Sequence, residues 1–384
     1  MKNYRVAILG CRGRGTAAAR AYHQHPRTDL VALCDLLKER RDTLGEELGV
    51  AARYDDFRQM IAEESPDIVA IPTGTEFHYE LAMAVLQLGV HIDIEKPLCQ
   101  TLDEADRVLA RAADGDLQIA VHHQGRCGGS MRAVQQALAS GRIGTLRYLH
   151  GSGKGYYAGY GLMNIGTHML NNMLGLAGPC RSLSATALVD GRSITSQDVI
   201  PAANGMGWIA GENITAQLAF DGGVTGTLLQ HRFPKVDSTA YALEVYGTEG
   251  RLFWRSGGAW LLPVPHDEPS TDASWEDLEP IWPASFSPDG AAAEADYAFV
   301  DEYVQALDEG RSHCCSGQEG RHVMEIMMAI FESAAHGRRV ELPQTDRQHP
   351  LISWREHHAL GEPDPMPRPY AEWLSAEDQR LGRG

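Results

Sequence analysis

Ala7-Ile-Leu-Gly-Cys-Arg-Gly-Arg-Gly-Thr16 is the stretch around which the rest of the chain is organised. Tyr4 to Leu9 alternate and then run apolar, the pattern of a buried strand. Gly10, Gly13 and Gly15 follow at once, and Thr16-Ala-Ala-Ala-Arg-Ala opens a strong helix former. A strand, a glycine turn and a helix N-terminus together form an anion cradle. The first N–H groups of a helix have no intrahelical partner, and the helix dipole is positive at that end. The stretch approximates the dinucleotide fingerprint G-x-G-x-x-G, with Arg12 at the third position and glycine displaced to Gly13.

Working outward, Leu30-Val-Ala-Leu-Cys-Asp35 reads as a second strand ending in a carboxylate. Asp35 lies about 25 residues beyond Gly10, where an acidic side chain would hydrogen-bond ribose hydroxyls. A 2′-phosphate beside it would be repelled, so NAD is expected rather than NADP. Helices are predicted over 38–48, 56–63, 76–88 and 102–113, and strands over 52–54, 67–71, 91–94 and 117–121. Strands alternating with helices through short links predict a parallel sheet covered on both faces, with ligands beyond the carboxyl ends of its strands. Gly10–Gly15, Pro72–Thr75 and Glu95–Pro97 are the strand ends expected to converge.

Beyond Val121 the rhythm changes. A helix is predicted over 130–139 and a strand over 145–151. Strand-like segments without intervening helices then follow at 181–189, 213–220, 223–231, 242–246 and 251–254. Asp221-Gly-Gly223 and Gly247-Thr-Glu-Gly250 fit hairpin turns. The expected fold is an α/β Rossmann domain, a doubly wound parallel sheet, followed by an α+β domain with an open, mainly antiparallel sheet. The expected boundaries are 1–122 for NAD binding, 123–343 for substrate and oligomerisation, and 344–384 for a C-terminal extension. Helices over 294–306 and 318–335 close the second domain, and the Pro- and charge-rich tail reads as an extended or partly disordered arm.

Composition sets the outer limits. The 384 residues are 43% hydrophobic and 22% charged, as in a globular protein. A formal charge of −17 argues against nucleic acid as a partner. The seven cysteines are odd in number and contain no C-x-x-C, which argues against a disulfide framework or zinc ribbon. His313-Cys314-Cys315 reads as an incidental cluster, and no metal is expected. No apolar run approaches a membrane span, and the first strand starts within about five residues, so a cytoplasmic protein without a signal peptide is expected.

Two further segments carry chemistry. Glu95-Lys96-Pro97 ends the fifth strand, where Lys96 can donate to a substrate hydroxyl and stabilise an alkoxide. Pro97 stiffens that turn, with a cis bond an option. Asn164-Ile-Gly-Thr-His168-Met-Leu-Asn171 places Asn164, His168 and Asn171 on one helical face. Histidine carries protons near neutral pH, and an amide neighbour can fix its orientation. The preceding Lys154-Gly-Tyr-Tyr-Ala-Gly-Tyr-Gly161 is glycine-hinged and aromatic, suited to stacking on a sugar ring.

In these ordered motifs the chain resembles the Gfo/Idh/MocA oxidoreductases, the glucose-fructose oxidoreductase and inositol dehydrogenase group. The matching pieces are Gly10–Gly15, Pro72-Thr-Gly-Thr-Glu-Phe-His78, Glu95-Lys96-Pro97, Ser140-Gly-Arg-Ile-Gly144, Asn164–His168, Tyr246-Gly-Thr-Glu-Gly250 and Glu332-Ser-Ala-Ala-His-Gly337. The resemblance covers residues 4 to 343. It implies homo-oligomers, dimers or tetramers, built on the open sheet.

Carried over by residue, it implies Lys96 and His168 as catalytic groups, with Asn164 orienting His168. The implied cofactor set is Gly10, Arg12, Gly13, Arg14, Gly15, Asp35, Pro72, Thr73, Thr75, His78, Glu95 and Lys96. Substrate contacts are expected from Lys96, Arg126, Lys154, Tyr156, Tyr157, Tyr160, Asn164 and His168. Asn164 stands where inositol-dehydrogenase-like members carry aspartate, and Asn171 where many carry a second carboxylate. Asparagine can orient a histidine but supplies no charge to stabilise imidazolium.

The expected activity is NAD-dependent oxidation of a sugar or cyclitol hydroxyl. The alternative is a glycosidase that oxidises a ring hydroxyl transiently, eliminates the aglycone, adds water and re-reduces the ketone. A non-catalytic NAD-binding sensor is the reading from another class, and the presence of both Lys96 and His168 speaks against it.

Overall fold

Four consecutive buried residues, Ile68–Ile71, show why the first sheet is parallel: a strand apolar on both faces needs helices on both sides. In this computed structural model, which describes residues 2–266 and 272–383, that strand is β4. Its companions are β1 (Tyr4–Leu9), β2 (Thr28–Cys34), β3 (Arg53–Tyr54), β5 (His91–Ile94) and β6 (Ile119–Val121). The six-stranded sheet runs in the order β3-β2-β1-β4-β5-β6 with every pairing parallel. Helices α1 (Arg14–Gln24), α2 (Lys38–Leu48), α3 (Phe57–Glu64), α4 (His78–Gln87) and α5 (Leu102–Asp114) connect the strands. Chain order reverses between β1 and β4, the switch point where such sheets open a crevice beyond their carboxyl ends. The expected doubly wound architecture is therefore present.

Among the described residues the second sheet has ten strands, with only β7 and β13 parallel among its pairings. After α6 (Gly129–Ala139) come β7 (Leu146–Ser152), α7 (Ala158–Gly161), a π-helical turn (Leu162–Gly166) and α8 (Thr167–Ala177). The strands that follow are β8 (Cys180–Val189), β9 (Arg192–Ser193), a separate ribbon of β10 (Ile200–Pro201) and β11 (Trp208–Ile209), β12 (Asn213–Phe220) and β13 (Thr225–His231). Next come β14 (Ala242–Gly247), β15 (Arg251–Arg255), β16 (Gly258–Leu262) and β17 (Glu276–Asp277). On β12 the buried residues are Ile214, Ala216, Leu218 and Phe220, alternating with more exposed ones, so one face is covered and the other open. Met169 and Met173 of α8 lie against Gly151 of β7, and Met173 also against Gly226 of β13.

The compact units do not follow the expected boundaries. One comprises Met1–Cys99, Glu104–Gly129 and Ile281–Arg321; the other comprises Gln100–Asp103, Ser130–Pro280 and His322–Gly384. Thus α9 (Glu294–Glu309), expected to close the second domain, belongs with the parallel sheet. Its apolar residues Tyr297, Phe299, Val300, Tyr303 and Val304 join Val6, Ile8, Ala18, Ala21 and Tyr22 in one core. Tyr303 Oη donates to the carbonyls of Ile92 (2.9 Å) and Gln118 (3.1 Å), tying the helix to the β5 side of the sheet. Local patterning shows that a helix has an apolar face, and tertiary packing decides which layer receives it.

The tail is also ordered. After α10 (Gly317–His336) and β18 (Val340–Glu341), it forms α11 (Pro350–His357) and α12 (Tyr370–Arg380). Trp373 is fully buried and its indole N–H donates to the Pro201 carbonyl at 2.8 Å. Proline and charge density predict an arm, but a few large aromatic side chains are enough to dock it. Among the described residues, no helix is long and apolar enough to cross a membrane.

If α9 is a core helix of the first unit, Phe299→Ala lowers stability by about 3–5 kcal/mol. Tyr303→Phe costs about 0.5–1.5 kcal/mol by removing the one hydroxyl donor shared by the Ile92 and Gln118 carbonyls, the second of which keeps the Ile92 N–H. Urea denaturation of the variants against the parent measures both.

Candidate active site

The glycine turn places its residues through backbone geometry that other residues would resist. Gly13 has φ +53° and precedes α1 as its N-cap, with no side chain capping it. A Cβ at Gly13 would meet nothing within 4 Å, so the helix N-terminus is open to a ligand there. At Gly15 a Cβ would sit 1.8 Å from the Gly10 carbonyl oxygen and 3.1 Å from Pro72, so this glycine lets α1 pack on the β1 and β4 ends. Gly13 is thus the position for close approach and Gly15 the one for packing, which accounts for the displaced spacing.

Asp35 follows β2 with its carboxylate braced. One oxygen accepts the Cys11 N–H and the other the Leu37 N–H, each at 2.9 Å. Arg40 lies 3.9 Å from the second oxygen. Thr73 Oγ1 is buried and has no protein partner among the described residues, as suits a hydroxyl aimed at a bound group. An open helix N-terminus, a braced carboxylate and an unpaired buried hydroxyl on adjacent strand ends fit a dinucleotide.

The Glu95-Lys96-Pro97 turn is held from both sides. The Lys96–Pro97 bond is cis. His78, fully buried, sets Nδ1 2.8 Å from the Pro97 carbonyl oxygen and Nε2 3.3 Å from that of Thr73. Burial lowers the His78 pKa, so the ring is neutral and its single proton belongs on Nδ1, the shorter contact. His78 therefore braces the two turns. Thr75 is buried at the start of the following short helical turn.

Glu95 and Arg14 are paired with protein partners. Arg14 Nε donates to Glu95 at 2.7 Å, and its Nη2 donates to Asp296 of α9 at 2.5 Å. Asp296 Oδ1 is 3.0 Å from His122 Nε2, and His122 Nδ1 is 2.9 Å from Asp93, which also accepts the Tyr22 hydroxyl. Both ring nitrogens of His122 face carboxylates, so the ring carries two protons. Burial opposes that charge, but Asp93 and Asp296 outweigh it and push the pKa up to about 10. Burial likewise raises Asp296, yet His122 and Arg14 pull it down to about 2. Glu95 is lowered overall, with burial more than offset by Arg14. The Glu95 carboxylate also accepts the Lys96 N–H at 3.2 Å, so this network ends at the backbone of Lys96. Arg12 is exposed on the turn, and Arg126 pairs with Glu319 at 2.7 Å.

The network lay outside the sequence expectations, because Asp93, His122 and Asp296 occupy ordinary-looking positions far apart in the chain. The one available signal was His122 directly after an apolar strand.

In the other unit, Asn164 lies in the π-helical turn and His168 in the first turn of α8. The wider π turn replaces the regular four-residue register assumed from the sequence, and such turns often mark functional positions. Asn164 Nδ2 donates to Tyr160 Oη at 3.2 Å, and Asn204 Nδ2 donates to the same oxygen at 2.9 Å. Both Asn164 and His168 are half-buried, whereas Asn171 is fully buried. Burial is the main cause that raises the Tyr160 pKa to about 12.

The aromatic loop divides into different roles. Tyr157 is fully buried and donates to Glu377 of α12 at 3.0 Å, so it anchors that helix and is withdrawn from substrate. Tyr160 stacks on Tyr370 with centroids 4.6 Å apart, and Tyr156 meets both rings edge-on. Tyr370 Oη accepts the Tyr157 N–H at 2.9 Å. Lys154 Nζ lies 5.4 Å from the Tyr241 ring centroid, and burial lowers its pKa. Arg232 pairs twice with Asp378, both at 2.7 Å, fixing α12 beside this loop.

Two outcomes follow. His122 contributes stability that is complete below its ordinary value of 6.5 and is lost as pH rises through about 10. Asp296 contributes stability that is complete above 3.8 and is lost as pH falls through about 2. In urea denaturation across pH, His122→Gln is therefore less stable than the parent near pH 6 and has a shallower alkaline decline. Trp373→Ala costs about 3–5 kcal/mol, as thermal melting will show.

Comparison with known proteins agrees with this geometry. Residues 4–123 match the oxidoreductase family model for an NAD-binding Rossmann fold. Residues 136–342 match its C-terminal alpha/beta domain. D-apiose dehydrogenase of Paraburkholderia graminis is 25% identical over 374 residues, spanning 92% of this chain and 93% of that protein. A glycosyl hydrolase family 109 protein of Bacteroides fragilis is 31% identical over 109 residues, 26% of this chain and 24% of that one. A levoglucosan dehydrogenase solved with NADH and levoglucosan superposes with a TM-score of 0.73 at 20% identity, covering 89% of this chain and all of that one. The chain belongs to the Gfo/Idh/MocA oxidoreductase family and is an NAD-dependent oxidoreductase.

Proposed function

We propose that the enzyme oxidises a ring hydroxyl of a small sugar or cyclitol. The observation that carries this reading is the braced turn at the end of β5. Glu95 is locked to Arg14, the Pro97 carbonyl faces His78, and Lys96 is fixed between them one strand away from the Pro72–Thr73 turn. A cation set beyond the carboxyl edge of a nucleotide-binding sheet suits an alkoxide that develops there. The similarity to D-apiose dehydrogenase along most of both chains supports a carbohydrate as substrate.

Gly13 and the N-terminus of α1 hold the pyrophosphate of NAD, Asp35 the adenosine ribose, and Thr73 a further polar edge. Bound NAD supplies the hydride acceptor. Lys96 Nζ donates to the reacting hydroxyl and stabilises the oxyanion as the C–H bond breaks. His168 accepts the hydroxyl proton, and Asn164 orients His168 without adding charge. Tyr156, Tyr160 and Lys154 line the face that receives the ring. The open face of the ten-stranded sheet serves homo-oligomer assembly.

Lys96→Met is expected to lower kcat about 10²–10³-fold while leaving the NAD dissociation constant unchanged. His168→Ala is expected to lower kcat about 10²–10⁴-fold. Full activity in Lys96→Met would overturn the assignment. Failure of every sugar and cyclitol in a broad panel to turn over, with NAD still bound tightly, would favour a sensor. The short match to a glycosyl hydrolase family 109 protein and the asparagine at position 164 favour one second reading, the NAD-recycling glycosidase. Aryl glycosides with catalytic NAD separate the two. A dehydrogenase accumulates NADH, whereas release of aglycone without NADH identifies the glycosidase.

A further inference from the structure

Three cysteines from two remote stretches meet in the first unit. Cys127 follows the helical turn Gln124–Arg126 after β6, while Cys314 and Cys315 lie in the link between α9 and α10. The sulfurs of Cys127 and Cys314 are 3.5 Å apart, those of Cys314 and Cys315 are 3.9 Å apart, and all three lie within 4.8 Å of one another. We propose that Cys127, Cys314 and Cys315 form a three-sulfur site for one thiophilic d¹⁰ cation, Zn²⁺ or Cu⁺, which fastens the α9–α10 link to the β6 edge of the sheet.

The spacing supports a metal directly. A Zn–S bond of about 2.3 Å in tetrahedral geometry sets neighbouring sulfurs about 3.8 Å apart. The Cys127–Cys314 and Cys314–Cys315 separations bracket that value, and the third pair lies within 4.8 Å. A disulfide requires a bond of about 2.05 Å between two sulfurs and leaves the third without a role. Thiolate sulfur selects soft cations over magnesium, calcium or manganese.

The neighbours are committed elsewhere, which leaves sulfur as the donor set. His313 has Nε2 3.2 Å from the Phe299 carbonyl oxygen, and its Nδ1 accepts the Cys315 N–H at 2.8 Å. Glu302 is occupied by Arg311 and by the Cys314 N–H. Cys127 and Cys315 are buried, whereas Cys314 is partly exposed and gives solvent access. A water completes tetrahedral zinc on that side, while Cu⁺ is satisfied by the three sulfurs alone.

The scaffold is held before any ion arrives. The Val121 N–H donates to the Cys315 carbonyl at 2.8 Å, and Ala120 forms an isolated antiparallel bridge with Ser316. Binding of Zn²⁺ with one water forms three Zn–S bonds to thiolates, and each ligand that starts as a thiol breaks its S–H bond and gives that proton to solvent. The role is that of a clamp, because the ion joins segments nearly two hundred residues apart in the chain (|i−j| 187).

The test uses full-length protein, reduced, stripped with a chelator and kept under argon. Zn²⁺ is titrated against a chromophoric chelator, and Cu⁺ in a parallel arm, with Co²⁺ as the spectroscopic probe. The proposal expects one equivalent of Zn²⁺ or Cu⁺ per chain, thiolate-to-cobalt charge transfer, and a higher melting temperature with metal. Cys314→Ser, at the partly exposed position, is expected to weaken uptake at least about 100-fold and to remove the melting shift. Cys180→Ser, in the other unit, is expected to bind like the parent. Circular dichroism and NAD binding verify that each variant is folded. Less than one equivalent in the parent, or parental affinity in folded Cys314→Ser, overturns the proposal. So does a Cys127–Cys314 disulfide that forms in air while the reduced protein takes up neither metal.

Discussion

The charge network from Asp93 through His122, Asp296 and Arg14 to Glu95 is the constraint on which the unit of the parallel sheet depends. Removing several ions from water costs several kcal/mol each, and the cost is offset only when every group has a well-placed counter-charge. Here two cations alternate with three carboxylates, and the Glu95 end closes on the backbone of Lys96. Arg14 belongs to α1, Asp296 to α9, and Asp93 and Glu95 to β5 and its exit. A shift of any of these elements would leave a buried charge uncompensated. The network therefore confines the Lys96 turn to one arrangement relative to the glycine turn.

That arrangement has a chemical consequence. Stabilising an oxyanion by preorganised charge works only when the charge does not have to be moved into place during the reaction. Lys96 is set between a locked carboxylate and a proline whose carbonyl faces His78. Arg14, which reads from the sequence as a phosphate ligand, is held by Glu95 and Asp296, while Arg12 is exposed on the glycine turn.

In the other unit the C-terminal arm takes the equivalent part. Its Tyr370, Trp373 and Glu377 pack against Tyr160 and Tyr157, and Arg232 grips Asp378. These residues lie beyond the portion that matches the family's C-terminal domain, residues 136–342. The loop before His168 is thus shaped by the C-terminal arm. Two amide donors converge on Tyr160 Oη, so Asn164 is tied to that loop as well as to the helix carrying His168.

Sequence alone determined the elements and the edge at which chemistry is placed. Apolar runs of four to six residues specify buried parallel strands, glycines at 10, 13 and 15 specify the turn, and strand ends at 72 and 95 specify the ligand-facing edge. These are local signals, set by backbone sterics and by burial period. Tertiary structure decided what each polar side chain does. Arg14, His78, Glu95 and Tyr157 look like ligand contacts in the sequence, yet each is committed to a protein partner. It also decided that α9 belongs with the first sheet, that the tail is docked, and that Cys127 meets Cys314. The reason is physical. A hydrogen bond or ion pair between residues 19 to 282 positions apart leaves no local periodicity. Only the folded chain brings such groups within reach of one another.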